Sequence, residues 1–478
     1  RSSDLETITI GIQCRRNFTR RIPMSSLQAL TGVDYAESRQ HELRKSRIVM
    51  VDGNLTTNSE TTEGGSSSRV LNQGYWGFAS TPAMDEAAAK RVARKAMENA
   101  QTMCRFGEQP AIDMPKEHHV GEYGYNGRPT HGQKEIIDLL VELNAHANEN
   151  YPHLNSATFM MSQEAHEKRL STSYGSEGLS TTNRAAFYII FSAEDRNGKP
   201  VELVETLSDR GNFADLDLSI ERLAPKMAEL NEHLQAKCNA VAPRGGMQTV
   251  IISPPLAGML AHEAMGHPCE ADSVLGGAVT ANLVGKPVAS EIVTMVDLAH
   301  TYNGEELMIP VYIDDEGTRA KDVVMIEKGI LRSFMTNRES AARLGIPATG
   351  NARAYTFNDE PLVRMRNTAI LPGTSKIEDM IADVEDGYYL MHTGNGQADS
   401  TTEFMFGIKL AYEIKKGKLG NAITDTTVSG TAISMLKTVD AVSDDMYWEC
   451  NGYCGKKQPM VVSLGGPALR AQVHLGGE

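Results

Sequence analysis

The sequence predicts an α+β protein: a mixed α/β domain over residues 24–241, then a β-rich domain over residues 242–478. Three observations predict it. Long helical stretches with apolar periodicity fall in the first half. Turn signals flanked by β-branched residues crowd the second. Between them, Ala240 to Met247 holds Pro243, Gly245 and Gly246 and reads as a linker. With 41% hydrophobic and 23% charged residues over 478 positions, the chain has ordinary globular composition and length for more than one core.

Taken in order, residues 1–23 alternate Ile8, Ile10 and Ile12 and then run through Arg15, Arg16, Arg20 and Arg21, which reads as one strand and a basic arm. A β-meander is expected from Tyr35. Its parts are the apolar run Ile48 to Val51, a turn at Asp52-Gly53, a polar stretch to Gly64-Gly65, and Arg69 to Ala79. Met84 to Cys104 is Ala-rich, carries Asp85 and Glu86 in its first turn, and repeats apolar positions at Ala89, Val92, Ala93 and Ala96, as a helix does. Ile136 to Asn150 and Leu218 to Cys238 are further helices. Ala185 to Ser192 and Pro200 to Leu207 are strands around an Asn197-Gly198 turn.

Past the linker, Thr249 to Ile252 is a short buried strand. Turns are expected at Asp315-Glu316-Gly317, Lys328-Gly329, Pro372-Gly373, Asn395-Gly396 and Lys416-Gly417. Asp52-Gly-Asn-Leu55, Lys328-Gly-Ile-Leu331 and Lys416-Gly-Lys-Leu419 share one pattern, that of hairpin tips.

A net charge of −14 argues against a nucleic-acid or anionic-membrane binder, which needs a basic surface. The most apolar stretch, Thr249 to Ala261, is broken by Ser253, Pro254 and Pro255 and is too short to cross a bilayer. No apolar leader core follows Arg1 to Glu6. Six cysteines in 478 residues are too sparse for a disulfide framework, so reduced thiols and a cytoplasmic location are expected. Cys14, Cys104 and Cys238 fall on predicted strand and helices and read as packing.

The chemistry concentrates in Ala261-His-Glu-Ala-Met-Gly-His-Pro-Cys-Glu-Ala-Asp272. It follows a buried strand and a Ser-Pro-Pro break, a plausible helix start. His267 lies five positions after His262. On a straight α-helix that spacing puts the rings about 140° apart, too far to share a metal. Gly266 loosens the turn and Pro268 disfavours the α conformation at His267, so the helix is expected to end or bulge and bring His267 back toward His262. A helix end with two hydrogen-bonded histidines is the other reading. Two histidines leave a metal site short of a ligand. Cys269, Glu270 and Asp272 are near candidates, and Cys450 and Cys454 distant ones; Cys454 is flanked by Gly452 and Gly455. Glu270 and Asp272 are also candidate partners for the histidine N–H groups, or ordinary solvated loop acids.

Beyond this segment the chain resembles the TldD/PmbA family of metalloproteases, in its TldD-type members that bear the metal motif. The resemblance runs from about Val33 onward. Its motifs are Asp34-Tyr-Ala-Glu37, Gly74-Tyr-Trp-Gly-Phe-Ala-Ser80, His262-Glu-Ala-Met-Gly-His267 with Glu270 and Asp272, and Gly285-Lys-Pro-Val-Ala-Ser290. They continue through Asp314-Asp-Glu-Gly-Thr318, Pro361-Leu-Val-Arg-Met365, Asn367-Thr368, Leu371-Pro-Gly373 and Cys454-Gly-Lys456. The resemblance implies Zn2+ held by His262, His267 and Cys454 in the β-rich domain, with Glu263 as general base. It implies hydrolysis of small or unfolded peptides by metal-activated water. It also implies dimers enclosing the site, as a homodimer or with a homologous subunit. Pro268-Cys269 and His392-Thr-Gly-Asn-Gly-Gln397 depart from the family pattern and bear on substrate preference. Two other functions fit the motif: a regulatory subunit with structural zinc, and a zinc hydrolase for a different amide. An intact Glu263 speaks against the first, since a structural site needs no base.

Overall fold

The computed structural model describes residues 27, 30, 32–107, 109–125, 127–128, 132–398 and 401–477. The strand and basic arm expected over residues 1–23, with Cys14, lie outside the described residues.

A seven-stranded sheet organises the first half. Its strands are β1 (Tyr35–Val51), β2 (Asn54–Asn72), β3 (Tyr75–Thr81), β4 (Val120–Tyr125), β5 (Ser156–Thr172), β6 (Glu177–Glu194) and β7 (Pro200–Arg210). The order is β3-β2-β1-β5-β6-β4, with β7 also paired to β6. Asp52 and Gly53 both take positive φ and turn β1 tightly into β2. The strand β2 runs straight through Gly64-Gly65, and the expected Arg69 to Ala79 segment is cut by a turn at Gln73-Gly74, again with positive φ at both. Three helices cover the sheet. Glu86–Met103 starts on Asp85, whose carboxylate accepts from the Ala88 N–H, and buries its alanine face against β2 and β3. Gln133–Asn150 and Ile220–Cys238 bury leucine stripes in one core with Phe159, Phe187 and Phe191.

Two strands of this sheet, β4 and β5, were not expected from the sequence. The reason for β5 is chemical. Several of its inward residues are polar: Glu164 and His166 are buried and paired with other side chains, so the apolar alternation that marks a strand is missing.

The second half begins with β8 (Gly246–Ile252), so the expected linker gives two of its residues to a strand. From there the strand Asp386–Ala398, β8, Leu469–Leu475, Thr426–Thr431 and Glu403–Lys415 pair in a closed ring, the last returning to the first. Two of these pairings are short: Asp386–Ala398 meets β8 only at Tyr388 to Leu390, and Leu469–Leu475 meets Thr426–Thr431 only at His474 and Leu475. Lys328-Gly329 and Lys416-Gly417 turn two hairpins with the same positive φ pair as Asp52-Gly53. Asn395-Gly396 is not a turn: it lies within Asp386–Ala398, paired to Gly407 and Phe406. Glycine is needed there because a Cβ on residue 396 would stand 2.1 Å from the Phe406 ring. A six-stranded sheet, with Asn367–Ile370 and Ser463–Gly466 parallel at its centre, packs beside the ring. No described helix is long and apolar enough to cross a membrane.

Candidate metal centre

Leaving β8, the chain turns at Ser253, whose hydroxyl donates to the Met391 carbonyl at 2.6 Å. Pro254 and Pro255 then open a helix over Pro254–Leu260, where their missing N–H groups cost nothing. This helix lies between the closed ring and the six-stranded sheet. Leu256 and Leu260 share its apolar core with Ile252, Leu390 and Phe406.

Over Ala261–Gly266 the helix widens into a π turn, and the His267 N–H donates to the His262 carbonyl five residues back. In that geometry residues five apart stack on one face, as residues four apart do in an α-helix. The two imidazole centroids stand 5.1 Å apart. The bulge was expected; its expected cause needs correction. His267 keeps helical angles (φ −59, ψ −45) despite Pro268, and the chain leaves helical conformation only at Glu270 (φ −76, ψ 125). The inserted residue brings the rings together, with no swing at the proline. Gly266 permits it, since a Cβ there would lie 2.2 Å from the buried Met365 sulfur.

Cys454 arrives from far along the chain, on the strand Tyr453–Cys454 paired with Met460–Val461. Its sulfur is 3.4 Å from His267 Nε2. The ligand atoms of His262, His267 and Cys454 all lie within 4.8 Å of one another. His262 is 2% exposed, and neither of its ring nitrogens has a hydrogen-bond partner. A buried imidazole stripped of water and left unpartnered is costly, and a metal ion would satisfy it. Two imidazoles and a thiolate are also a donor set that zinc accepts, at ligand distances of about 2.0–2.3 Å.

Electrostatics single out one sulfur. Burial pushes the Cys269 thiol up to about 12, and Cys450 likewise to about 12. Burial also acts to raise Cys454, but His262 and His267 beside it outweigh that and bring it down to about 3. Cys269 stays outside the cluster as a neutral core thiol.

Glu263 leaves the same turn, with its carboxylate 3.8 Å from His267 Nε2. Glu270 is 0% exposed, and its Oε2 sits 2.7 Å from His267 Nδ1 and 3.0 Å from Lys456 Nζ. Asp272 reaches no histidine; both its oxygens accept from Lys456 Nζ at 3.0 Å. Two residues quoted only as part of sequence motifs prove to shape the site. The fully buried Arg364 donates to the carbonyls of Cys454 (2.6 Å), Lys456 (3.0 Å) and Gln458 (2.8 Å). Lys456 joins the Cys454 segment to Glu270 and Asp272. The Arg in Pro361-Leu-Val-Arg-Met365 and the Lys in Cys454-Gly-Lys456 were the available signals: charged residues inside apolar or glycine-flanked runs.

Beside the site lies a cleft of about 1140 Å³ between β7 and the ring, lined among others by Met259, Met391, Asn451 and Gly452. Met259 precedes His262 by three residues and Gly452 precedes Cys454 by two.

Residues 245–477 match the PmbA/TldA metallopeptidase C-terminal domain, and residues 36–100 match PmbA/TldA metallopeptidase domain 1. The chain is 30% identical over 452 residues to a metalloprotease of Methanothermobacter thermautotrophicus, covering 93% of this chain and 96% of the relative. It is 27% identical over 450 residues to the zinc metalloprotease TldD homolog of Saccharolobus solfataricus, covering 93% and 97%. Its fold is similar to the crystal structure of TldE from Thermococcus kodakarensis, with a TM-score of 0.71 at 16% identity over 94% of this chain and 98% of that one. An α+β architecture, two matched family domains and full-length likeness to named metalloproteases together show that this chain belongs to the PmbA/TldD metallopeptidase family.

Proposed function

We propose that the chain is a zinc-dependent peptidase acting on small or unfolded peptides, with His262, His267 and Cys454 as metal ligands and Glu263 as general base. One observation carries the reading: a buried His262 with two unpartnered ring nitrogens, set beside His267 and the Cys454 sulfur. When bound, zinc supplies Lewis acidity toward water and the scissile carbonyl. Glu263 takes a proton from the attacking water on its carboxylate and hands it to the departing amine. Glu270 accepts from Nδ1–H of His267, which fixes the tautomer and leaves Nε2 facing the sulfur. Asp272 acts one step further out, steadying Lys456 against Glu270.

The cleft suits an extended chain. Among the described strands β7 pairs only with β6, so its other edge offers main-chain groups to a peptide regardless of sequence. A dimer, of identical or homologous subunits, closes the site against folded proteins. The five described cysteines are all free, which agrees with a cytoplasmic protein. The test compares zinc-loaded, chelator-stripped and zinc-restored protein on short peptides and on small amides. Peptide hydrolysis lost on stripping and regained with zinc is the expected result. Stoichiometric zinc without hydrolysis would point to a regulatory subunit, and cleavage of small amides alone to a different hydrolase.

A further inference from the structure

The segment that delivers Cys454 is held from the other half of the molecule. Arg184 on β6 and Glu164 on β5 are direct cross-strand partners, both buried, with Arg184 Nη2 3.1 Å from Glu164 Oε2. Arg184 Nη1 donates to the carbonyls of Cys450 and of Gly452, the latter at 2.9 Å. The guanidinium also sits 4.1 Å from the Tyr453 ring centroid, and the Tyr453 hydroxyl donates to Glu164. Two more contacts come from the same sheet. The Tyr188 hydroxyl donates to the Asn451 carbonyl at 3.3 Å, and the Cys450 N–H donates to Ser208 Oγ at 2.9 Å. Thus each residue from Cys450 to Tyr453 is bonded to a side chain of β5, β6 or β7. The next residue is Cys454.

We propose that Arg184, anchored by Glu164, is a positioning residue for the Cys454 sulfur, so that the N-terminal sheet tunes a metal centre whose ligands all lie in the C-terminal half. The proposal rests on Cys454 being a ligand. Gly452 and Gly455 flank the tyrosine–cysteine pair, whose own strand pairing covers only those two residues, so the stretch from Cys450 to Tyr453 takes its stiffness from elsewhere. Arg184 supplies it, with a planar fork that grips two carbonyls and a carboxylate at once. Such outer contacts typically set metal affinity by about 10- to 100-fold.

The test measures zinc affinity by chelator competition and, in the cobalt-substituted protein, the near-ultraviolet sulfur-to-metal charge-transfer band. Arg184→Met is expected to weaken zinc by about 10- to 100-fold and to diminish the band, while the metal-free protein keeps its far-ultraviolet circular dichroism. Arg184→Lys, which still reaches some of these acceptors, is expected to recover part of both. Arg184→Met leaves the buried Glu164 without its guanidinium, held by His166 and the Tyr453 hydroxyl. If that variant fails to fold, the double variant Arg184→Met with Glu164→Gln replaces it and is expected to show the same losses. Unchanged affinity and an unchanged band in the folded variant overturn the proposal. Cys454→Ser is the control: if it keeps the full band, Cys454 is not a ligand and the underlying reading fails. If it loses the band while the Arg184 variants keep it, only the positioning role is refuted.

Discussion

Removing the carboxylate of Glu270 should weaken zinc by an amount the contacts predict. Its Oε2 lies against His267 Nδ1 at 2.7 Å and Lys456 Nζ at 3.0 Å, inside a fully buried side chain. Glu270→Gln keeps an amide oxygen able to accept from Nδ1–H and loses only the charge. Charged hydrogen bonds are worth about 1.5–3 kcal/mol and neutral ones about 0.5–1.5, so the loss is about 1 kcal/mol, or roughly fivefold in affinity. Lys456 is not stranded, since Asp272 and the Val363 carbonyl still receive it. Glu270→Ala removes the acceptor as well. It leaves a buried N–H unpaired at about 1–3 kcal/mol and frees the ring to turn, which brings the total to about 100-fold. Equilibrium competition against a chromophoric chelator at pH 7.5, on protein shown to be folded, reads both values. Zinc affinity of Glu270→Ala within twofold of the parent, or Glu270→Gln weaker than Glu270→Ala, would refute the reasoning.

The other predictions concern chemistry, acid stability and assembly. Glu263→Gln should retain stoichiometric zinc and lose about two to four orders of magnitude in peptide hydrolysis, whereas Cys454→Ala should lose the metal and activity together; metal analysis beside kinetics separates them. Burial holds His41 well below the usual histidine range, with Lys168 adding to it, and burial also lowers His166 against the opposing bond to Glu164. His41 therefore folds neutral while the unfolded chain protonates near pH 6.5, so its share of stability is complete above that pH and falls below it, and His166 acts in the same direction. The slope is about 1.4 kcal/mol per pH unit for His41. Urea unfolding of His41→Gln between pH 7.5 and 5 should be flatter by one histidine's share, and an unchanged slope would exclude the buried pair as its source. Sedimentation should show a dimer, as an interface of more than about 2,000 Å² in total would hold it, and an active monomer at every concentration would rule out the enclosed site.

What could be read in advance was local. The hairpin tips Asp52-Gly53, Lys328-Gly329 and Lys416-Gly417 carry their own backbone preference, and the helices Glu86–Met103 and Ile220–Cys238 announce themselves by periodicity within a turn or two. The bulge between His262 and His267 was legible for the same reason, because spacing and Gly266 lie within one turn. Its mechanism was not: the space that Met365 denies a Cβ at position 266 is a long-range packing fact. Asn395-Gly396 misled because a turn dipeptide was serving a cross-strand contact with Phe406.

By itself, then, the sequence determined the α+β class, the three long helices of the first half, the hairpin tips at Asp52-Gly53, Lys328-Gly329 and Lys416-Gly417, the histidine pair with its neighbouring Glu263, and, through the TldD/PmbA resemblance, the expectation that Cys454 joins them. Tertiary structure alone decided that Cys454 lies beside His267 across 187 positions and that Glu270, not Asp272, reaches His267. It also revealed that Arg184, Arg364 and Lys456 grip the cysteine segment. The physical reason is range. Turn and helix preferences act over a few residues, whereas a buried guanidinium acquires meaning only from the carbonyls and carboxylates that folding brings around it.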